Sequence, residues 1–370
     1  MPLDDIDRSY LLNDAALALG DRFPDLAWRL YERTVVLDIE TSSANSLRVA
    51  LSNLTSNCYY ASNLADAARL AGLESDLAEA MESEADIFRS RFDLYYLASI
   101  FGDDAAADRL WQQIGDMKRP QVRAIYRTGD AEFWHAIDLL RRGELTEAML
   151  MQAEELAREG HNHGAIRSLN QTWGEWYLSR GEPSLAIEKL GHAVRMAREI
   201  GSEDGFSEAM LALARLRAGE RFDARGEAER LSKTGWGTLA LAELWWKLGA
   251  RDRAVEHALR AHKFYVSDGE PYLWRYRLDR TRALLAELGV PLPEIPKYDP
   301  AKAKIYPWEK DVRAFIDKLK AKRKRAQTKK SEPGDVKTSK AKRKSKLESG
   351  IKRNPGKRRM APVYRKKKSR

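Results

Sequence analysis

Two histidines two residues apart, His161 and His163, lie in the glycine-bounded turn EGHNHG, and such a pair can chelate a metal. The neighbouring sequence supplies no third ligand and no general-base partner, so the turn reads as a polar connection between helices. His135, His192, His257 and His262 fall in helical sequence without the H-E-x-x-H spacing that puts two imidazoles around zinc. The single cysteine, Cys58, excludes an internal disulfide and a Cys-rich zinc site. It precedes Tyr59 and Tyr60 without the nearby histidine and oxyanion donors that a thiolate nucleophile needs, and it reads as a small buried residue. Gly235-Trp236-Gly237-Thr238-Leu239-Ala240 matches a dinucleotide G-x-G-x-x-A, but that fingerprint follows a strand, and here ARGEAERLSKT precedes it. An inter-helix turn is the better reading. There is no G-x-x-x-x-G-K-[ST], since Lys357 after Gly356 lacks the upstream glycine, and no G-x-S-x-G. Neighbouring carboxylates such as Glu154 and Glu155 belong on solvated helix faces. The sequence thus predicts no catalytic residue, no metal and no cofactor, with a fold-assembled enzyme site as the remaining alternative.

Charge is the second source of chemistry, and it is unevenly placed. Residues 321–370 carry 22 of the 65 Lys+Arg and three of the 55 Asp+Glu, a net of +19; the other 320 residues carry 43 bases and 52 acids, a net of −9. The basic clusters include Lys322, Arg323, Lys324 and Arg325, then Lys342, Arg343 and Lys344, then Arg358 and Arg359, and finally Lys366, Lys367 and Lys368. So few large apolar residues interrupt them that ordering this segment cannot be offset by burial, and a disordered tail is expected. Each cation that meets a phosphate releases condensed counterions, so the tail is expected to bind DNA or RNA with steep salt dependence and little sequence choice. Tyr364 is its only aromatic residue, which argues against base stacking. Acidic protein surfaces are the alternative target.

The body must position whatever else the protein binds. Ala, Leu, Glu and Arg recur at helical spacing through residues 5–290, which predicts an all-α body. Internal repetition follows: RRGELTEAM, SRGEPSLAI, RAGERFDAR and KLGARDRAV each place an alanine five residues after a glycine, pairing Gly143 with Ala148, Gly181 with Ala186, Gly219 with Ala224 and Gly249 with Ala254. The glycine ends one helix in a left-handed turn and the alanine lets the next pack closely. The phase extends back to Gly102 with Ala107 and Ser62 with Ala67, giving spacings of 40, 41, 38, 38 and 30 residues, and Gly20 with Ala27 marks a possible earlier joint. Ala136, Gly174, Ala212 and Ala242, seven residues before their joints, supply a second small position. Residues 271–288 read as one more helix, VPLPEIPKYDP as an extended strap, and a last helix starts at Pro307 with Trp308, Val312, Phe315, Ile316 and Leu319 as its apolar face. This gives a repeat array over 1–290, a strap and capping helix over 291–320, and the tail over 321–370.

These offsets resemble the tetratricopeptide repeat, with the best copy over about 170–200, where Gly174, Tyr177, Gly181, Ala186, Leu190 and Ala193 hold the patterned positions. Most spacings exceed the ~34-residue norm, Tyr95 replaces a small residue and Arg215 a large apolar one. The resemblance implies an α-solenoid of helical hairpins with C-terminal capping helices, whose first helices line a concave face. Residues ten, six and two before each joint would point into it: Ser52, Ser56 and Tyr60; Phe92, Tyr96 and Ile100; Phe133, Ile137 and Arg141; Gln171, Glu175 and Ser179; Ala209, Leu213 and Arg217; Leu239, Glu243 and Lys247. An extended peptide or a helix of another protein is the implied occupant, and packing between neighbouring hairpins is the alternative use of the same aromatic residues.

No apolar run approaches the ~20 residues of a membrane span, and the start MPLDDIDRSY lacks the basic region of a signal peptide. The expectation is a cytoplasmic scaffold, or a nuclear one in a eukaryotic host, that grips a protein through its repeats and nucleic acid through its tail. A nucleic-acid-binding regulator whose array mainly self-associates is the alternative.

Overall fold

The computed structural model describes residues 4–20, 23–117, 129–201, 204–233 and 238–331. Gly235, Trp236 and Gly237 lie outside these, as do Lys342, Arg343, Lys344, Arg358, Arg359, Lys366, Lys367 and Lys368. Sixteen α-helices make up the described fold: α1 (Asp5–Leu19), α2 (Pro24–Glu40), α3 (Ala44–Tyr60), α4 (Leu64–Met81), α5 (Glu84–Phe101), α6 (Asp104–Asp116), α7 (Asp130–Arg142), α8 (Glu147–Glu159), α9 (His163–Ser179), α10 (Pro183–Glu199), α11 (Gly205–Arg217), α12 (Ala224–Ser232), α13 (Thr238–Lys247), α14 (Arg251–Tyr265), α15 (Arg275–Glu287) and α16 (Glu309–Ser331). No strand occurs among the described residues; a single parallel bridge joins Glu270 to Lys297.

Consecutive helices pack as antiparallel neighbours, α1 on α2, α3 on α4 and so on to α13 on α14. Short polar residues start many of them. Asp103, Asn162, Asp204 and Asp223 each accept a hydrogen bond from the amide three residues on, which satisfies one of the free N–H groups of a helix start. Six of the sequence-derived joints end their helices in one manner. Ser62, Gly102, Gly143, Gly181, Gly219 and Gly249 have φ between 60° and 75°, and the residue after each donates its N–H to the carbonyl five residues earlier, as Asn63 does to Cys58 and Glu182 to Tyr177. Gly20 departs from this, with φ −51°, although Ala27 is fully buried in the first hairpin.

The small residues sit at helix crossings with two corrections, Ala148 and Ala224. Ala224 is buried but is the first residue of α12, where the small fully buried residue is Ala228. Ala67, Ala107, Ala186 and Ala254 are fully buried and each is the fourth residue of its helix. Ala148 is exposed: the turn after Gly143 is longer, α8 begins only at Glu147, and the buried fourth position falls on Leu150. Ala136, Gly174, Ala212 and Ala242 are buried as expected. Tyr95 fills its crossing completely buried, with its hydroxyl 2.9 Å from His135 Nδ1, and Arg215 stacks on Phe222 while pairing with Glu220 at 2.7 Å.

The C-terminal block differs from its sequence reading in three ways. Residues 271–274 form a turn rather than helix, held by Trp274 N–H on the Tyr265 carbonyl at 3.2 Å, so α15 starts at Arg275. The last helix starts at Glu309 rather than Pro307 and continues through Ser331, so Ala321–Ser331, assigned to a disordered tail, are helical. Its apolar face completes the core of α1–α4, where Trp308, Val312, Phe315 and Ile316 join Val35, Leu47, Leu51 and Leu70.

Polar bonds tie this block to the first hairpins across more than 200 residues. Ser62 is the centre: its hydroxyl donates to the Phe264 carbonyl at 2.6 Å and accepts from Trp274 Nε1 at 3.0 Å, and its carbonyl accepts from the Ser267 hydroxyl at 2.5 Å. Asp268 accepts from Ala65 N–H at 2.7 Å, capping α4 from a distant part of the chain. Tyr306 donates to Asp66 at 2.8 Å, Arg69 pairs with Glu309 and donates to the Lys304 carbonyl, and Trp308 donates to Glu32 at 3.3 Å. A left-handed serine is strained where glycine would not be; here the hydroxyl that glycine lacks makes the closing bonds.

Candidate functional site

The first helices of the hairpins, α3, α5, α7, α9, α11 and α13, carry the side chains singled out for the concave face, and most of these meet other parts of the same chain. Ser52 donates to Asp93 at 3.0 Å, tying α3 to α5. Phe92 and Phe133 are buried, Phe133 with its ring 4.5 Å from Trp134. Tyr96 lies against Trp134 at 3.7 Å and edge-on to Tyr59 at 5.0 Å, and Tyr59 in turn meets Trp274 at 5.0 Å and Tyr60 at 4.3 Å. Burial pushes the Tyr59 and Tyr96 hydroxyls well above the usual tyrosine range. Tyr60 keeps 62% of its surface exposed and Ser56 is also exposed. Ile100, Ile137 and Gln171 are half-buried, whereas Ala209, Leu213 and Leu239 are core.

Charged positions on the same face are paired. Arg141 bridges Asp104 and Asp138, the latter at 2.8 Å. Burial opposes the Asp138 charge, but hydrogen bonds from Arg141 and Ser99 and the charges of Arg141 and Arg142 outweigh it and hold this carboxyl below its usual value. Glu175 pairs with Arg277, and Arg280 reaches Glu243 at 2.6 Å and Glu175 at 3.9 Å. Arg217 lies 3.8 Å from Glu243, and Lys247 and Ser179 are exposed. Arg277 also lies over the Phe206 ring at 4.5 Å. Burial and Arg280 oppose the Arg277 charge, yet Glu175, Tyr265 and Tyr276 together outweigh them and raise its pKa.

Thus α15 presents Arg277 and Arg280, three residues apart and therefore on one helix face, to the glutamates of the first-helix face, while Trp274, just before the helix, meets its aromatic residues. The sequence pattern marks Trp274 as a residue covering the last hairpin but does not single out the two arginines. The signal was present in the three-residue spacing and in the two acids at matching inward positions, Glu175 and Glu243.

The other candidates for chemistry are occupied by structure. Cys58 is buried and its thiol pKa is pushed up by burial first, then by Asp66, the opposite of what a nucleophile requires. His161 adopts the left-handed φ of 49° at the turn, Asn162 caps α9 and bonds Asp130 at 2.7 Å, and His163 opens the helix on its exposed side. His135 stacks on Trp111 at 3.9 Å. His257 and His262 are buried, their pKa values lowered by that burial, with His257 Nε2 3.1 Å from the Ser232 hydroxyl. Among the described residues no group of three or more His, Cys, Asp or Glu side chains is arranged to hold a metal, and no helix is long and apolar enough to cross a membrane. Of the basic cluster at the end of the described chain, Lys322, Lys324 and Arg325 are exposed and Arg323 is half-buried, all within α16. The chain matches no protein-family model, and no curated protein matches it either.

Proposed function

We propose that this protein is a non-enzymatic scaffold of tetratricopeptide-like repeats, an α-solenoid whose basic C-terminal segment tethers it to DNA or RNA. The observation that carries the reading is the partition of charge: exposed Lys322, Lys324 and Arg325 open a segment of net +19 that follows a body of net −9. A segment of that charge exchanges condensed counterions for its own cations, a gain in entropy that needs no particular base sequence. The repeat part is supported by six joints with the same left-handed turn and the same five-residue back-bond. The engagement of Cys58, His135, His257 and His262 in packing and hydrogen bonds supports a non-enzymatic role.

In this reading a protein partner engages the part of the first-helix face that the chain leaves accessible, around Ser56 and Tyr60, and the exposed cation Lys247. The test is a capture experiment with the full chain and with a chain ending at residue 331, each with and without nuclease. Partners retained by both chains after nuclease treatment, with nucleic acid retained mainly by the full chain, are expected. Equal nucleic-acid retention by an all-Gln version of the basic clusters would refute the tether.

A further inference from the structure

The first ten residues after Ala321 are helical, because α16 runs to Ser331, and no acidic residue occurs between Asp317 and Glu332. Eight of its ten residues there, KRKRAQTKKS, are Ala, Lys, Arg or Gln, which are intrinsically good helix formers; Thr328 and Ser331 are the exceptions. Two features oppose the helix. It is polar around its whole circumference, so packing does not hold it. Like charges three and four residues apart, Lys322 with Arg325 and Lys318 with Lys322, repel one another. Its chief deficit is self-repulsion, which a polyanion removes.

The geometry selects among polyanions. A helix with its side chains is about 10–12 Å across, and the major groove of B-form DNA is about 12 Å wide with phosphates along both walls. Lys322, Arg323, Lys324 and Arg325 occupy four consecutive positions, 100° apart around the axis, so in that groove they face both walls. The major groove of A-form RNA is too narrow and deep for such a cylinder. A single strand has no walls and is gripped by aromatic stacking, for which residues 322–370 offer only Tyr364. We infer that the basic end of α16, residues 322–331, is a contact for duplex DNA that seats as a helix in the major groove. This rests on the nucleic-acid reading above and adds the duplex and the helical form to it.

The test measures binding of the full chain to a DNA duplex of about 20 base pairs, to its single strand and to the RNA duplex of the same sequence, over a salt titration. Two variants accompany it. Ala326→Pro keeps every charge but breaks the helix at an exposed position, leaving the core untouched. K322Q/R323Q/K324Q/R325Q keeps helix propensity and removes four cations. The expected result is a preference of ~10-fold or more for the DNA duplex, a loss of similar size with either variant, and a salt slope lowered by about 3.6 in the Gln variant. Single-strand binding should fall only in the Gln variant, and helical circular dichroism should rise when duplex DNA is added to the wild type. Equal affinity for the three nucleic acids, or unchanged duplex binding by Ala326→Pro, would overturn the inference and leave the tether reading standing. No binding of any of the three by the full chain would overturn the tether reading itself.

Discussion

The crossing of α9 and α10 allows the repeat packing to be tested with one methyl group. Gly174 is buried against Leu190, and a Cβ added there would stand 2.5 Å from Leu190 Cδ2, 2.9 Å from Cδ1 and closer still to Cγ. Leu190 is itself fully buried. Gly191, also inside α10, has only the tip of Arg195 near its added Cβ, at 3.5 Å. Alanine for glycine inside an open helix stabilises by about 1 kcal/mol, whereas overpacking a filled crossing costs about 1–3 kcal/mol. Gly191→Ala should therefore raise stability by about 1 kcal/mol, and Gly174→Ala should fall below it by the overpacking cost of about 1–3 kcal/mol. Leu190→Ala alone should lose about 2–5 kcal/mol, and less in the Gly174→Ala background, where the new methyl enters the space Leu190 vacates. Denaturant unfolding of the wild type and the four variants, with unchanged slopes, gives the differences directly. If Gly174→Ala and Gly191→Ala shift the midpoint equally, the close crossing does not exist.

Three further outcomes follow from other contacts. Asp38 is fully buried, its Oδ2 has no hydrogen-bond partner, and burial, moderated by the Ser9 hydroxyl at 2.5 Å, pushes its pKa up to about 6; the folded state therefore holds a proton that the unfolded chain releases. Its stabilising effect is present below about pH 4 and lost as pH rises through about 6, on the order of 2–3 kcal/mol, and Asp38→Asn should flatten that part of a stability-versus-pH curve. Ser62→Gly relieves the left-handed strain but loses the hydroxyl bonds to Phe264 and Trp274, whereas Ser62→Ala loses the bonds and keeps the strain; thermal midpoints should rank wild type above Gly above Ala, the last two separated by about 1–2 kcal/mol. Glu175→Gln leaves Arg277 without its buried counter-charge and should cost about 3 kcal/mol or more, with Arg277→Met in the same chain recovering part of it; no recovery would show that the pair is not a unit.

Much of the body was legible because its determinants are local. A residue that ends a helix with positive φ and a small residue near the start of the next helix lie within one short stretch, so the six joints from Ser62 to Gly249 could be placed by spacing. Ala148 was misplaced because the exact start of α8 depends on the length of one turn. The closing contacts of Ser62, Asp66 and Arg69 with residues 264–309 join segments that no local pattern relates. Ser62 takes a joint position that glycine holds in the next five, and its hydroxyl bonds to Phe264 and Trp274 are not visible in that spacing. Ala321–Ser331 was assigned to the tail because charge composition argues against burial, yet a helix of good formers needs no burial to be locally favoured.

The first-helix face shows what an inherited offset specifies and what it leaves open. It gave the direction of Glu175 and Glu243 but not what they meet. A carboxylate as enclosed as Glu175, with 5% of its side chain exposed, requires a counter-charge, since breaking a buried pair is far costlier than never having formed one. Arg277 and Arg280 supply that charge from α15 one turn apart. Any ligand that displaced α15 from this part of the face would have to present a cation to Glu175, or leave it unpaired, and would leave Glu243 with Arg217 alone. A neutral or acidic peptide therefore has no route to Glu175 and Glu243, and its binding must be sought where the chain leaves its own side chains accessible, at Ser56 and Tyr60. A peptide that bound equally well to the wild type and to Tyr60→Ala would place the partner surface elsewhere on the body.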